Sequence, residues 1–189
     1  MNETLFDKEF NRMDFRDSQL NGREFESCSF IACDFSDGSI INKIFIDCSF
    51  EECNLSMCKI TDSSFRDVRF DRCKLNGVDF SQCNSLLFGL SFEECNLSYA
   101  LFTAMNIENT SFKNCNLKNC DFSGTDLTNA IFDGCDLNGS VFKGTILHDS
   151  DFCTALNFSI DPDLNFLKKT KFSQSGLTGL LEKYDIIVK

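Results

Sequence analysis

Tryptophan is missing from the chain and proline and histidine occur once each, while phenylalanine supplies 22 of 189 residues. The apolar material is therefore concentrated in one side-chain shape, and something in the fold selects for it. Long apolar runs are missing too. The amino terminus, MNETLFDKEFNRMDF, interleaves acids and bases, and no later segment approaches a membrane span, so the expectation is a soluble, cytoplasmic protein without a secretory leader. There is no excess of positive charge either. A formal net charge of −11 argues against direct nucleic-acid binding, because phosphates would be repelled, and suits a basic partner surface instead. The length allows one domain with a real core.

What is present is a count of five. From Leu5 to Phe80, all 16 positions numbered in fives are Phe, Leu or Ile, and from Phe92 to Phe152 all 13 positions on the new count are the same types. Seventeen of the 22 Phe lie on it. A helix turns roughly 100° per residue, so a step of five smears these side chains around the cylinder. In a flat strand the same step sends successive residues to opposite faces. All 29 reach one core only if the chain turns a corner every five residues and coils about an axis, which is a β-solenoid.

Calling each apolar centre i, position i−2 is mostly small, as at Cys33, Cys53, Cys95, Ala100 and Thr125, and i−1 is commonly polar, as at Asp34, Asn54 and Asp121. Residues i and i−2 share a face in extended chain and both point inward. Gly124, Gly134, Gly139 and Gly144 at i+2 mark corners. Eleven of the 12 cysteines fall at i−2 or its continuation at Cys83, and only Cys153 lies outside. Their shortest spacing is five, against the close pairs of a zinc site, so they are read as buried filler and no metal or cofactor is expected. His148 follows Leu147 at an outward position with no nucleophile arranged around it, and no catalytic residue is expected.

Between Phe80 and Phe92 the count stumbles. Steps of seven to Leu87 and five to Phe92 place two extra residues near Cys83 and Asn84, a bulge within 81–91. The other alignment keeps Cys83 inward and moves the pair toward Ser91. The acids are excluded from inward slots and gather on outer faces: Asp14 with Asp34, Asp17 with Asp37, Glu51 and Glu52 with Asp71, and Glu93 and Glu94 with Asp133. The repeat is assigned to 1–158 and a cap to 159–189, with Pro162 helping to end the coils. Leu177, Leu180, Leu181 and Tyr184 predict an amphipathic helix entered at Ser173 or Ser175, and Ile186, Ile187 and Val188 a short strand.

The units CNLSY, CNLKN, CDFSG, TDLTN and CDLNG resemble the A(D/N)LXX signature of pentapeptide-repeat proteins, over nearly all of residues 3–155. The resemblance implies an all-β fold, a right-handed quadrilateral β-helix with four pentapeptides per coil. The tail IDPDLNFLKKTKFSQSGLTGLLEKYDIIVK resembles that of the Qnr-like and topoisomerase-poison immunity branch. That likeness implies a homodimer joined through Leu177, Leu180, Leu181, Tyr184, Ile186, Ile187 and Val188. It further implies a non-catalytic mimic of duplex DNA that binds DNA gyrase or topoisomerase IV through the acidic columns above and protects it against quinolones or peptide toxins. The chain lacks the long projecting loops of some resistance members. A repeat scaffold for another protein partner is the alternative.

Overall fold

The computed structural model describes residues 4–17, 20–84, 89–184 and 186–187. The chain climbs through about eight turns of a parallel β-solenoid with four faces. Face 1 carries the strands Thr4–Phe6, Glu24–Glu26, Ile44–Ile46 and Ser64–Arg66, paired in that order with Leu5 beside Phe25, Phe45 and Phe65. Beyond the stumble it continues as the bridges Asn106 to Asp126, Ile146 and Phe166. Face 2 is a nine-stranded parallel sheet from Glu9–Asn11 to Lys171–Phe172. Face 3 is a ladder of single bridges from Asp14 to Leu156, and face 4 runs from Ser39 to Lys59 and from Asp79 to Val141.

The core is built by the count. Phe10, Phe30, Phe50, Phe70, Phe92, Phe112, Phe132, Phe152 and Phe172 form one unbroken column of stacked rings behind face 2, with centroids 4.5 to 5.5 Å apart. A second column, Phe80, Phe102, Phe122 and Phe142, repeats at 4.8 to 5.2 Å. Neighbouring columns meet edge to face, as Phe102 and Phe112 do at 6.0 Å. The coil rise of a parallel sheet, about 4.8 Å, is close to the separation at which offset rings attract, so one residue type satisfies both the backbone and the core.

Position i−2 does more than fill space. Its side chain donates to the carbonyl 23 residues earlier: Cys53 Sγ to Phe30 at 3.2 Å, Cys120 Sγ to Leu97 at 3.1 Å and Thr125 Oγ1 to Phe102 at 2.6 Å. Ser140 Oγ also accepts the Cys120 amide at 3.2 Å. Cysteine, serine and threonine share a small volume and one donor, which explains why they interchange here. The corners at i+2 are left-handed, with Gly124 at φ +69° and Asp, Asn and bulkier residues in the equivalent places, including Tyr99 at φ 64°.

Three expectations are corrected. Cys83 and Asn84 are not the insertion: Cys83 Sγ still faces the Ile60 carbonyl at 3.6 Å and the Asn84 amide still donates to Ser63, both in the ordinary register of the coil below. From Leu90, which pairs with Val68, the offset is 22, so the two extra residues fall between Asn84 and Leu90. Leu87, on which the first alignment rested, lies outside the described residues. Second, parallel pairing runs past 158. Pro162 sits in a turn closed by the Leu164 amide on Asp161, after which Leu167 and Phe172 return to the count and Asn165 bridges Phe142 and Thr145 from an inward slot. Third, the tail forms 3₁₀ helices at Ser175–Leu180 and Glu182–Tyr184 instead of an α-helix, and Ile186 and Ile187 form no strand. Gly176 and Gly179 explain the loss of the α-helix. They press on Phe158, where a Cβ at Gly179 would lie 2.3 Å from the Phe158 carbonyl oxygen, and they deprive the segment of helix propensity.

Candidate acidic binding face

The acids singled out in the sequence lie on faces 2 and 3 and their corners, and most are held by bases. Arg16 grips Asp14 at 2.6 Å and reaches Asp34 at 3.7 Å. Arg72 gathers Glu51 at 2.5 Å, Asp71 at 2.7 Å and Glu52 at 3.4 Å. Glu93 takes both Arg69 and Lys113 at 2.7 Å. The hydrogen bonds from Arg16 hold the Asp14 carboxyl down at about 2, and the Lys113 ammonium lowers that of Glu93. Asp17, Asp37, Glu94 and Asp133 make no ion pair within 4 Å among the described residues, and Asp133 accepts the Thr154 hydroxyl at 2.8 Å.

A further set of acids without an ion pair lies on another face. Face 1 and the corner that follows it present Asp7, Glu24, Glu26, Asp47, Asp67, Glu108, Asp126 and Asp149, and none of these eight pairs with a base among the described residues. They occur in seven of the eight coils. The bases on the same stretch are Arg23, Lys43 and Arg66, and Lys43 is turned to the backbone, donating to the Leu20 and Gly22 carbonyls at 2.8 and 2.6 Å. Desolvation lowers its pKa. Lys168 and Lys169 close the face at its carboxy end. The signal was available in the sequence by sorting acids into positions modulo twenty, with two added after the stumble. Seeking only exact recurrences missed it, as did overlooking the arginines beside the recurrent acids.

Near the middle of this face, beyond the last paired strand among the described residues, is a cleft of about 420 Å³. Asp67 and Glu108 stand on its rim. At the carboxy end a second cleft, of about 500 Å³, lies between the last coils and the terminal 3₁₀ segment. There Leu177, Tyr184, Ile186 and Ile187 are exposed, while Leu180 and Leu181 are half-buried, with Leu180 packed on the core. Val188 lies outside the described residues. Leu156, Leu164 and Phe166 add exposed apolar surface on the last coils that sequence reasoning missed. An apolar residue in the normally polar i−1 slot, as at Leu156 and Phe166, was the available signal.

Cys153 is exposed, Cys83 half-buried and the other ten cysteines buried. Burial pushes the thiol of Cys48 up to about 11 and those of Cys58 and Cys120 to about 12. No group of three or more His, Cys, Asp or Glu among the described residues is placed to hold a metal ion, and no described helix is long and apolar enough to cross a membrane.

Four flat faces, inward pairs at i and i−2 and a corner every five residues define a parallel β-solenoid built from pentapeptides. The pentapeptide repeat region model matches residues 23–102 and 85–180, and the chain belongs to the pentapeptide-repeat family. A trypsin-treated form of QnrB1, a plasmid-mediated fluoroquinolone resistance protein, superposes with a TM-score of 0.63 at 20% identity, covering 100% of both chains. HetL, a pentapeptide-repeat protein involved in heterocyst differentiation regulation from the cyanobacterium Nostoc sp. strain PCC 7120, matches at a TM-score of 0.39 and 14% identity, over 91% of this chain and 85% of its own. A search of curated proteins found no match.

Proposed function

We propose that this protein is a non-catalytic, dimeric DNA mimic that binds DNA gyrase or topoisomerase IV in the cytoplasm and modulates it or shields it from quinolones or peptide toxins. The observation that carries this reading is the run of eight carboxylates along face 1 that make no ion pair among the described residues. Spread over eight coils they place one charge about every 5 Å of axis, sparser than one strand of a duplex at about 3.4 Å but on a stiff, straight support. A basic groove built for phosphates meets an acidic rail whose charges need not be stripped from internal partners first. The fold shared with a fluoroquinolone resistance protein supports the choice of partner. The exposed Leu177, Tyr184, Ile186 and Ile187, with Leu156, Leu164 and Phe166, support pairing of two rods through their carboxy ends.

The test is gyrase supercoiling with and without a quinolone. Wild type is expected to inhibit the reaction or to restore it against the drug. Asp47→Asn with Asp126→Asn should weaken the effect, and Glu51→Gln with Glu52→Gln should leave it. Absence of any wild-type effect over a wide concentration range would sink the proposal.

A further inference from the structure

We infer that the cleft at the break in the count receives an arginine side chain from the basic surface of the protein's partner. Its lining includes Asp67, Gly89, Leu90, Ser91, Glu108 and Asn109. Asp67 and Glu108 belong to coils on either side of the interrupted one, about 9.6 Å apart along the axis. One planar guanidinium carries donors on opposite edges and can address two carboxylates held apart in this way, whereas an ammonium is a point charge. The Asp67 carboxylate has no hydrogen bond or ion pair to the described residues, and the adjacent Arg66 does not reach it. Glu108 accepts the Asn106 side-chain amide at 2.9 Å on Oε1, leaving its other oxygen.

Gly89 keeps the cleft accessible. A Cβ at this position would lie 2.9 Å from Asp67 Oδ1 and 3.0 Å from the Asp67 amide nitrogen, so any side chain here would displace the carboxylate. The charge along the whole face draws a cation in. The cleft adds a hollow of about 420 Å³ in which an arginine can shed water as it binds.

The choice of a basic protein surface rests on the reading of face 1 given above, and two measurements separate the two ideas. The first uses no partner: blocked arginine amide is titrated into the full-length protein while backbone amide shifts are followed by NMR. Shifts at Gly89, Ser91 and Asn109 are expected in wild type and not in Asp67→Asn with Glu108→Gln, and blocked citrulline should cause none. Equal shifts along all of face 1, no shifts, or an equal response to blocked lysine would overturn the inference. The second measures gyrase binding. The same double variant should bind about thirtyfold more weakly, the scale of losing a desolvated charge pair. Undiminished gyrase binding by the double variant would reject the arginine cleft while leaving the topoisomerase reading intact. If gyrase does not bind wild type at all, that reading falls, and the arginine titration alone decides the cleft.

Discussion

Replacing one ring in the middle of the Phe column should cost far more than replacing one at its end. Phe112 is fully buried, stacked on Phe92 at 5.2 Å and Phe132 at 5.1 Å, with Phe102 and Phe122 edge-on at 6.0 and 6.2 Å. Phe112→Ala loses the transfer energy of the ring, opens a cavity that two fixed backbone coils cannot close, and removes four aromatic contacts, for about 4 to 5 kcal/mol. Phe172 is half-buried, with Phe152 stacked at 5.5 Å and Phe158 tilted at 5.5 Å, and Phe172→Ala should cost about 1 to 2 kcal/mol. Coils contact only their neighbours, so the central variant should also reduce the denaturant m-value by uncoupling the two halves, and the terminal one should not. Urea unfolding followed by far-UV circular dichroism reads both. Costs equal within about 1 kcal/mol would refute the idea that stability resides in continuous ring columns.

Gly179→Ala should release the terminal 3₁₀ segment, because the added Cβ meets the Phe158 carbonyl oxygen at 2.3 Å, and limited proteolysis should then cut near residue 175. Gly144→Ala, with nothing within 4 Å but φ at +67°, should cost only about 1 kcal/mol and leave the tail resistant. Native labelling with a maleimide should modify Cys153 alone, slowly because the Asp151 carboxylate raises its pKa, and the other eleven thiols only on unfolding; rapid modification of any buried cysteine, read by mass spectrometry, would contradict the packing. Asp14, Glu93 and Asp161 are each held below the ordinary carboxylate range by a hydrogen-bonded base. Their stabilisation is present above the unfolded value near 4 and is lost as pH falls through the folded values, to about 2 for Asp14. The thermal midpoint should therefore be flat from about pH 5 upward and fall below about 4, and Arg16→Met should flatten part of that fall.

The solenoid was legible because its constraint is local and repeated. A parallel coil of fixed perimeter demands an apolar centre every fifth residue, and each centre from Leu20 to Phe80 is buried as the count requires. The stumble was legible as two residues but not in place, because Leu87 and Cys83 compete for an inward slot and only the hydrogen bonds at Cys83 and Asn84 decide between them. The tail read as an α-helix because Leu177, Leu180, Leu181 and Tyr184 have helical spacing. The glycines that defeat it are required by a contact with Phe158, a residue that the sequence does not mark as its neighbour. The acidic surface was legible in kind, but which carboxylates have an arginine within reach was not, since net charge does not reveal it.

The outward residues are where one face can be specialised. Only inward slots and corners are constrained by the fold, so the outward residues of each face vary independently. Across the change of register the face 2 stack is kept, with Phe70 and Phe92 5.3 Å apart, as are the bridges of Lys74 to Asn96 on face 3 and Asp79 to Leu101 on face 4. Among the described residues, the paired strands of face 1 run as far as Ser64–Arg66. The same face holds eight carboxylates without an ion pair among the described residues, where several acids of face 2 are gathered by Arg72, Arg69 and Lys113. A lapse in packing explains the change of register but not the carboxylates left without an ion pair beside it, and a need for solubility explains the acids but not why those of face 1 stand apart from its bases. Recognition by a basic surface accounts for both departures at the same place.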